Sequence, residues 1–248
     1  MTAPRERLLQ AARDVVAADG LEGLTLRAIA RRAGVSHGAP LRHFPTLASL
    51  LAAVAADGFA RLIATVEDHL AEADAAAAAA GTVLDARRRL AVAGQAYVDF
   101  ALADPGVFSV TFRPERVDVT DEQYQVQGFA SFRQLVELVE AAQADGWRPH
   151  LPPDELAAVV WANVHGLAVL TLHGGLAGVL GGEAAHRLPA LSIAIGLGLP
   201  DPSSPDPIPA DPIPAGPTPA LAGTGITASR TDPGGEHRPI RHETQEGH

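Results

Sequence analysis

The stretch Thr25-Leu26-Arg27-Ala28-Ile29-Ala30-Arg31-Arg32-Ala33-Gly34-Val35-Ser36-His37-Gly38-Ala39-Pro40-Leu41-Arg42-His43-Phe44-Pro45 reads as two short helices about one tight turn. Thr25 offers a hydroxyl to cap a helix that carries Leu26, Ile29, Ala30 and Ala33 on one face. Gly34 can take the positive φ that stops this helix. Val35 plugs the angle between the helices, and Ser36 can cap a second, very short helix that stops before Pro45. A helix-turn-helix of this kind lays the first residues of its second helix against base edges in the major groove.

Working outward, Leu8, Leu9, Ala12, Val15 and Val16 mark a preceding helix that begins near Thr2 and Pro4 and ends at Gly20. Three helices thus make a head of about residues 1–46. Thr46 opens a longer fourth helix with Leu47, Leu50, Leu51, Val54, Phe59, Leu62, Ile63 and Val66 in register. The alanine run 75–80 reads as a frayed helix end and connector. A helix is expected over 85–103, broken by Asp104-Pro105-Gly106. A short apolar piece, a polar loop over 113–122, a helix carrying Phe129, Phe132, Leu135, Val136 and Val139, and a helix over 153–173 follow. A glycine-rich loop over 174–182 and a last helix over 183–197 complete a body of about residues 47–199. The expected fold class is therefore all-α. The last two long helices are apolar on most sides and rich in alanine and glycine, which makes them the best dimer face.

From Pro200 the composition changes. The segment 200–248 holds eleven of the chain's twenty prolines and repeats Asp-Pro-Ile-Pro-Ala at 206–210 and 211–215. With few large apolar side chains it cannot offset its ordering entropy, and it reads as a disordered tail.

Charge is placed unevenly along the 248 residues. The whole chain carries −10, yet residues 1–50 hold seven arginines against four acids, a balance of +3. A small basic head on an acidic body suits local contact with nucleic acid by the head. There is no cysteine, so disulfides and thiolate chemistry are excluded. No positively charged leader precedes an apolar stretch, and the longest apolar run, Leu156 to Leu172, is interrupted by Asn163, His165 and Gly166. A cytoplasmic protein without membrane contact is expected.

Enzyme signatures are missing. His173-Gly174-Gly175 has no Gly-x-Ser-x-Gly elbow to accompany it. The glycines at 174–182 lack the Lys-Ser/Thr of a phosphate loop, and the histidines lack His-Glu-x-x-His spacing. No catalytic residue, metal site or cofactor is expected.

The residues from Thr25 to Pro45 closely resemble the signature of the TetR family of transcriptional regulators, over about residues 5–60. Trp161-Ala162-Asn163-Val164-His165-Gly166 is similar to the Trp…His-Gly pattern of one subgroup of its C-terminal domains. The resemblance implies a homodimer whose two recognition helices enter successive major grooves of a palindromic double-stranded operator. It also implies a body that binds a small effector and releases the DNA. Position by position, it implies that Thr25 and Arg27 touch phosphate or a base edge, and that Ser36, His37, Gly38, Ala39 and Pro40 approach the bases. Arg42 and His43 would lie along the groove's backbone, with Phe44 in the core. In the body, Tyr97, Phe100, Phe108, Phe129, Trp161 and His165 are the candidates to line a mostly apolar effector cavity. Two positions depart from the family. Leu41 stands where a phosphate-binding tyrosine is usual, and Leu47 where a lysine is usual. Both changes remove sequence-independent contacts. They leave open a second reading, a TetR-like protein that binds a ligand or partner with weakened or lost DNA binding.

Overall fold

The structure is a computed structural model that describes residues 4–36 and 38–200; the tail assigned above to 200–248 lies outside them beyond its first residue. The described residues form helices and short 3-10 turns with no strand, so the all-α expectation holds.

Local chemistry sets the boundaries. Helix α1 (Pro4–Asp19) buries Leu8, Leu9, Ala11, Ala12, Val15 and Val16 and ends at Gly20, which takes φ +68°. Helix α2 (Leu26–Arg32) is capped by the Thr25 hydroxyl, which accepts from Ala28 N–H at 3.0 Å. Gly34, at φ +66°, makes the turn that follows. The third helix expected from the sequence is reduced to a 3-10 turn over Pro40–Arg42. Helix α3 (Leu47–Ala79) starts in a reciprocal capping box between Thr46 and Ser49. It does not fray at the alanine run as expected but continues through it, in keeping with alanine's helix propensity. Its 33 residues make a rod roughly 50 Å long, reaching from the head into the body.

Aspartates open the next three helices. Asp85 caps α4 (Ala86–Ala103), Asp104 caps α5 (Pro105–Thr111), and Asp121 caps α6 (Glu122–Ala144), each accepting a backbone N–H from the third residue on. Asp104-Pro105 therefore ends one helix and starts another at once, with proline in the first helical position. Helix α7 (Pro153–Leu172) follows. The segment 174–182, expected to be a loop, contains a further short helix, α8 (Gly175–Leu180), between Gly174 at φ +69° and Gly181 at φ +83°. These two glycines act as the breaks that bound a turn and a half of helix. Helix α9 (Gly182–Leu197) ends at a left-handed Gly198.

Helix α3 is the central rod, packed by α4, α5 and α6, while α4 also meets α6, α7 and α9. One apolar cluster runs from Leu8, Ile29 and Phe44 in the head through Leu50, Val54 and Leu62 of α3 to Tyr97, Phe108 and Val164. A second joins Leu90, Val136, Val139, Leu156 and Leu197. By length and composition α3 and α7 could each cross a membrane. The apolar side chains of α3 serve the core, whereas most of the corresponding stretch of α7 is not buried.

Candidate nucleic-acid interface and ligand cavity

Several polar residues around the Gly34 turn are exposed. Thr25, Arg27, Ser36, Gly38, Arg42 and His43 are exposed there, and Ala39 is half-buried. Val35 closes the C-terminus of α2: its N–H donates to the Ala30 carbonyl at 3.0 Å, and its side chain packs on the core. Arg27, Arg31 and Arg42 form no ion pair among the described residues, whereas Arg32 reaches Asp14 and Arg13 reaches Asp57. Unpaired, exposed guanidinium groups are the ones free to neutralise phosphate. His37 lies outside the described residues.

One expectation changes here. Pro40 is buried and cannot approach bases. Its carbonyl accepts from Phe44 N–H at 2.8 Å, so Pro40 and buried Phe44 stand four residues apart on the inner side of one turn. The Thr25 hydroxyl accepts one bond in the helix cap, from Ala28 N–H, and keeps its O–H and a second lone pair to offer outward. Of the two departures, Leu41 is 57% exposed among the basic residues, while Leu47 is half-buried against the core. A further arginine, outside the set expected from the sequence, is Arg5. Its guanidinium lies 5.3 Å from the centre of the Phe44 ring and braces α1 over the recognition segment.

The body holds a cleft of about 820 Å³, partly open to solvent, between α3, α4, α6 and α7, within the size range of sites for drug-sized ligands. Tyr97, Trp161 and His165, named from the sequence, meet at its wall. Trp161 Nε1–H donates to the Tyr97 hydroxyl at 3.2 Å, and that hydroxyl lies 2.8 Å from His165 Nδ1. Burial pushes the Tyr97 hydroxyl far above its ordinary value and pulls His165 below its own. Both groups are therefore neutral near pH 7. Phe108 stacks on the His165 ring with centroids 5.4 Å apart.

Phe108 and Phe100 support this wall from behind. They are buried but do not line the cavity. Phe129 is not at the cavity at all and is 67% exposed. The cavity face of α6 is centred on the stripe Tyr124, Gly128, Ser131, Phe132, Leu135 and Leu138, flanked by Gln125 and Gln134, and position 129 falls off it. Four lining aromatics stand outside the set expected from the sequence: Phe59, Phe112, Tyr124 and Phe132. The stripe on α6 is the signal that marks the last two.

Helix α5 joins the two regions. Its C-terminal end, Thr111 and the following Phe112, lines the cavity. At its other end, a Cβ on Gly106 would come within 2.9 Å of Val16 on α1. Nearby, Arg116 donates to the Leu21 carbonyl at 3.1 Å, and Arg13 pairs with Asp57 of α3 at 3.0 Å. On the outside of the body, α7 leaves Val159 and Leu170 exposed, and α9 leaves Ile195 69% exposed.

Comparison with known proteins agrees with this layout. Residues 8–54 match the model of the bacterial regulatory proteins of the tetR family, and residues 90–191 match that of a tetracyclin repressor-like C-terminal domain. No curated protein matches. Among solved structures, a protein of unknown function from Rhodococcus sp. RHA1 is 33% identical, with a TM-score of 0.62 over 79% of this chain and 96% of its own. A transcriptional regulator from the same Rhodococcus strain is 25% identical, with a TM-score of 0.55 over 79% of this chain and 97% of its own. A fatty acid degradation regulator from Bacillus halodurans, 14% identical over 77% of this chain and 96% of its own, shares the fold with a TM-score of 0.57. With its helix-turn-helix and its helical body each matched by a model of the same family, the chain belongs to the TetR family of DNA-binding bacterial regulatory proteins, which are transcription regulators and not enzymes.

Proposed function

We propose that the chain is a cytoplasmic, ligand-responsive repressor that binds a palindromic operator as a homodimer and is released by a small, mostly apolar effector. The head, residues 1–46, contacts DNA through Thr25, Arg27, Ser36, His37, Gly38, Ala39, Arg42 and His43. The body, residues 47–199, holds the effector beside Tyr97, Trp161 and His165 and pairs with a second copy through α7 and α9. Residues 200–248 form a tail that is dispensable for folding and dimerisation.

The observation that carries this reading is the position of α5. One end lines the cavity and the other packs on α1 of the head. An effector that displaces Phe112 and Thr111 moves α5, and α5 cannot move without shifting α1. In a dimer, a change in head angle alters the spacing of the two recognition segments, which must match half-sites about 34–36 Å apart. The coupling required is about 1–3 kcal/mol.

The exposed, apolar Leu41 supports the second reading, a TetR-like protein with weakened DNA binding. The two are separated by binding isotherms on the DNA upstream of the chain's own gene. Under the repressor reading, Arg42→Ala lowers affinity about tenfold or more and flattens the salt slope by about 0.9 for each phosphate it leaves unneutralised. Leu41→Tyr raises affinity on specific and non-specific DNA alike, because phosphates carry no sequence information. Leu47 stays unchanged in this test, since a lysine there would remove packing from the core. An unaltered chain that binds this DNA no better than unrelated DNA would support the second reading instead.

A further inference from the structure

We infer that the cavity ligand is an uncharged, flat, aromatic molecule carrying an oxygen that accepts a hydrogen bond from His165 Nε2–H. This deepens the effector-cavity reading above and rests on it.

Three observations converge. The first is the wall's composition. The chain holds eleven phenylalanine, tyrosine and tryptophan residues, and six of them, Phe59, Tyr97, Phe112, Tyr124, Phe132 and Trp161, line this one cavity. Rings gathered from α3, α4, α6 and α7 and from the turn after α5 favour a planar guest that can stack or meet them edge-on.

The second is charge. No Asp, Glu or Arg lines the cavity, and the chain has no lysine at all. His165, the one titratable cation candidate, is held neutral by its burial. An ionic guest would lose its water without gaining a counter-charge, which costs several kcal/mol.

The third is the direction of the hydrogen bonds. An indole N–H can only donate, so the Tyr97 oxygen accepts from Trp161. In the proposed arrangement the single Tyr97 proton goes to the neighbour at 2.8 Å, His165 Nδ1. With Nδ1 accepting, the neutral imidazole must carry its proton on Nε2. That atom has no hydrogen-bond partner among the described residues, and His165 is part of the cavity wall. Elsewhere on the wall the Thr111 hydroxyl is spent on the Val107 carbonyl, and Gln125 and Gln134 each donate to a backbone carbonyl. Ser131 and Tyr124 carry hydroxyls that can donate or accept. His165 Nε2–H can only donate, and the relay through Tyr97 and the stack on Phe108 fix where it points. A carbonyl, ether or phenolic oxygen meets that requirement; a hydrocarbon of the same shape leaves the donor unpaired.

Three probes of one shape test the inference on the full chain: fluorene, 9-fluorenone and 9-fluorenone-2-carboxylate. Binding is read from quenching of tryptophan fluorescence, since Trp161 lines the cavity and Trp147 does not. The ketone should bind about three- to tenfold more tightly than the hydrocarbon, the worth of one hydrogen bond. The carboxylate should bind about a hundredfold more weakly than the ketone. His165→Phe should keep fluorene binding and erase the preference for the ketone, and His165→Gln, which retains an N–H donor, should restore part of it. A carboxylate that binds as tightly as the ketone, or a preference that survives His165→Phe, would overturn the inference while leaving the cavity a ligand site. If none of the three bound, the effector-cavity reading would fall with it. The comparison on the unaltered chain needs no variant to fold.

Discussion

A chain carrying Leu170→Asp and Ile195→Asp is expected to run as a monomer and to bind the proposed operator about 10²–10⁴-fold more weakly than the unaltered chain. Both side chains are exposed on the single protomer, one on α7 and the other on α9. A carboxylate at either position therefore leaves the protomer's own core untouched, and helicity by circular dichroism should not change. In the proposed dimer, paired through α7 and α9, these positions are buried against the second copy. There an unpaired carboxylate costs several kcal/mol, enough to dissociate an apolar interface. The weaker operator binding follows from geometry. Two linked heads bind a palindrome with the second contact made effectively intramolecular, and a monomer forfeits that advantage. Sedimentation and a gel shift measure the two effects separately. A variant that remained dimeric would show that α7 and α9 are not the pairing face. A variant that became monomeric yet bound as before would show that dimerisation does not serve operator recognition.

The second large effect concerns the seat of α5. A Cβ on Gly58 of α3 would lie 2.0 Å from Thr111 Oγ1 and 3.0 Å from Val107 Cγ1. Thr111 is 1% exposed, and its hydroxyl is already committed to the Val107 carbonyl, so neither residue has room to yield. Gly58→Ala should cost about 1–3 kcal/mol by overpacking. For a protein of this size a cost of about 2 kcal/mol lowers Tm by roughly 4–8 °C. Thr111→Ala removes the atom that clashes most and vacates space beside Gly58. The double variant should therefore be more stable than Gly58→Ala alone, a favourable coupling that a thermal double-mutant cycle reads directly. Additive losses would mean that α5 does not dock on α3 at this point.

What is legible in the sequence is chiefly what is local. The head is readable because Thr25, Gly34 and Val35 each act on neighbours within a few residues, through a cap, a positive φ and a plug between helices. The body helices are readable from their apolar periods, whereas the cap of α6, Asp121, lies within the stretch that reads as a polar loop. Asp104-Pro105 reads as a break and hides a start, although an N-cap followed by proline signals both. The segment 174–182 misleads because its glycine content outweighs its spacing. Gly174 and Gly181 bound a helix, and the stretch between them is largely apolar. At the recognition turn, the family motif points Pro40 outward, whereas its relation to Phe44 four residues on puts it inside.

The cavity shows the limit of such reading more sharply. Tyr97, Trp161 and His165 can be named one by one, but their relay spans residues 64 and 68 positions apart. Only the crossing of α4 and α7 brings them together. Phe129 and Phe132 have the same chemistry and lie three residues apart on one helix. One faces solvent and the other the cavity, and the neighbours that decide between them come from α3 and α7.

The most direct test of the central proposal is a footprint of the purified full-length chain on the DNA upstream of its own gene. The expected result is a protected palindrome with half-sites centred about 34–36 Å apart, or a multiple of that, occupied by two chains. Protection should vanish in the Arg42→Ala variant at the same protein concentration. A footprint with no palindromic protection, on DNA that the chain coats only at low salt and without sequence preference, would contradict it.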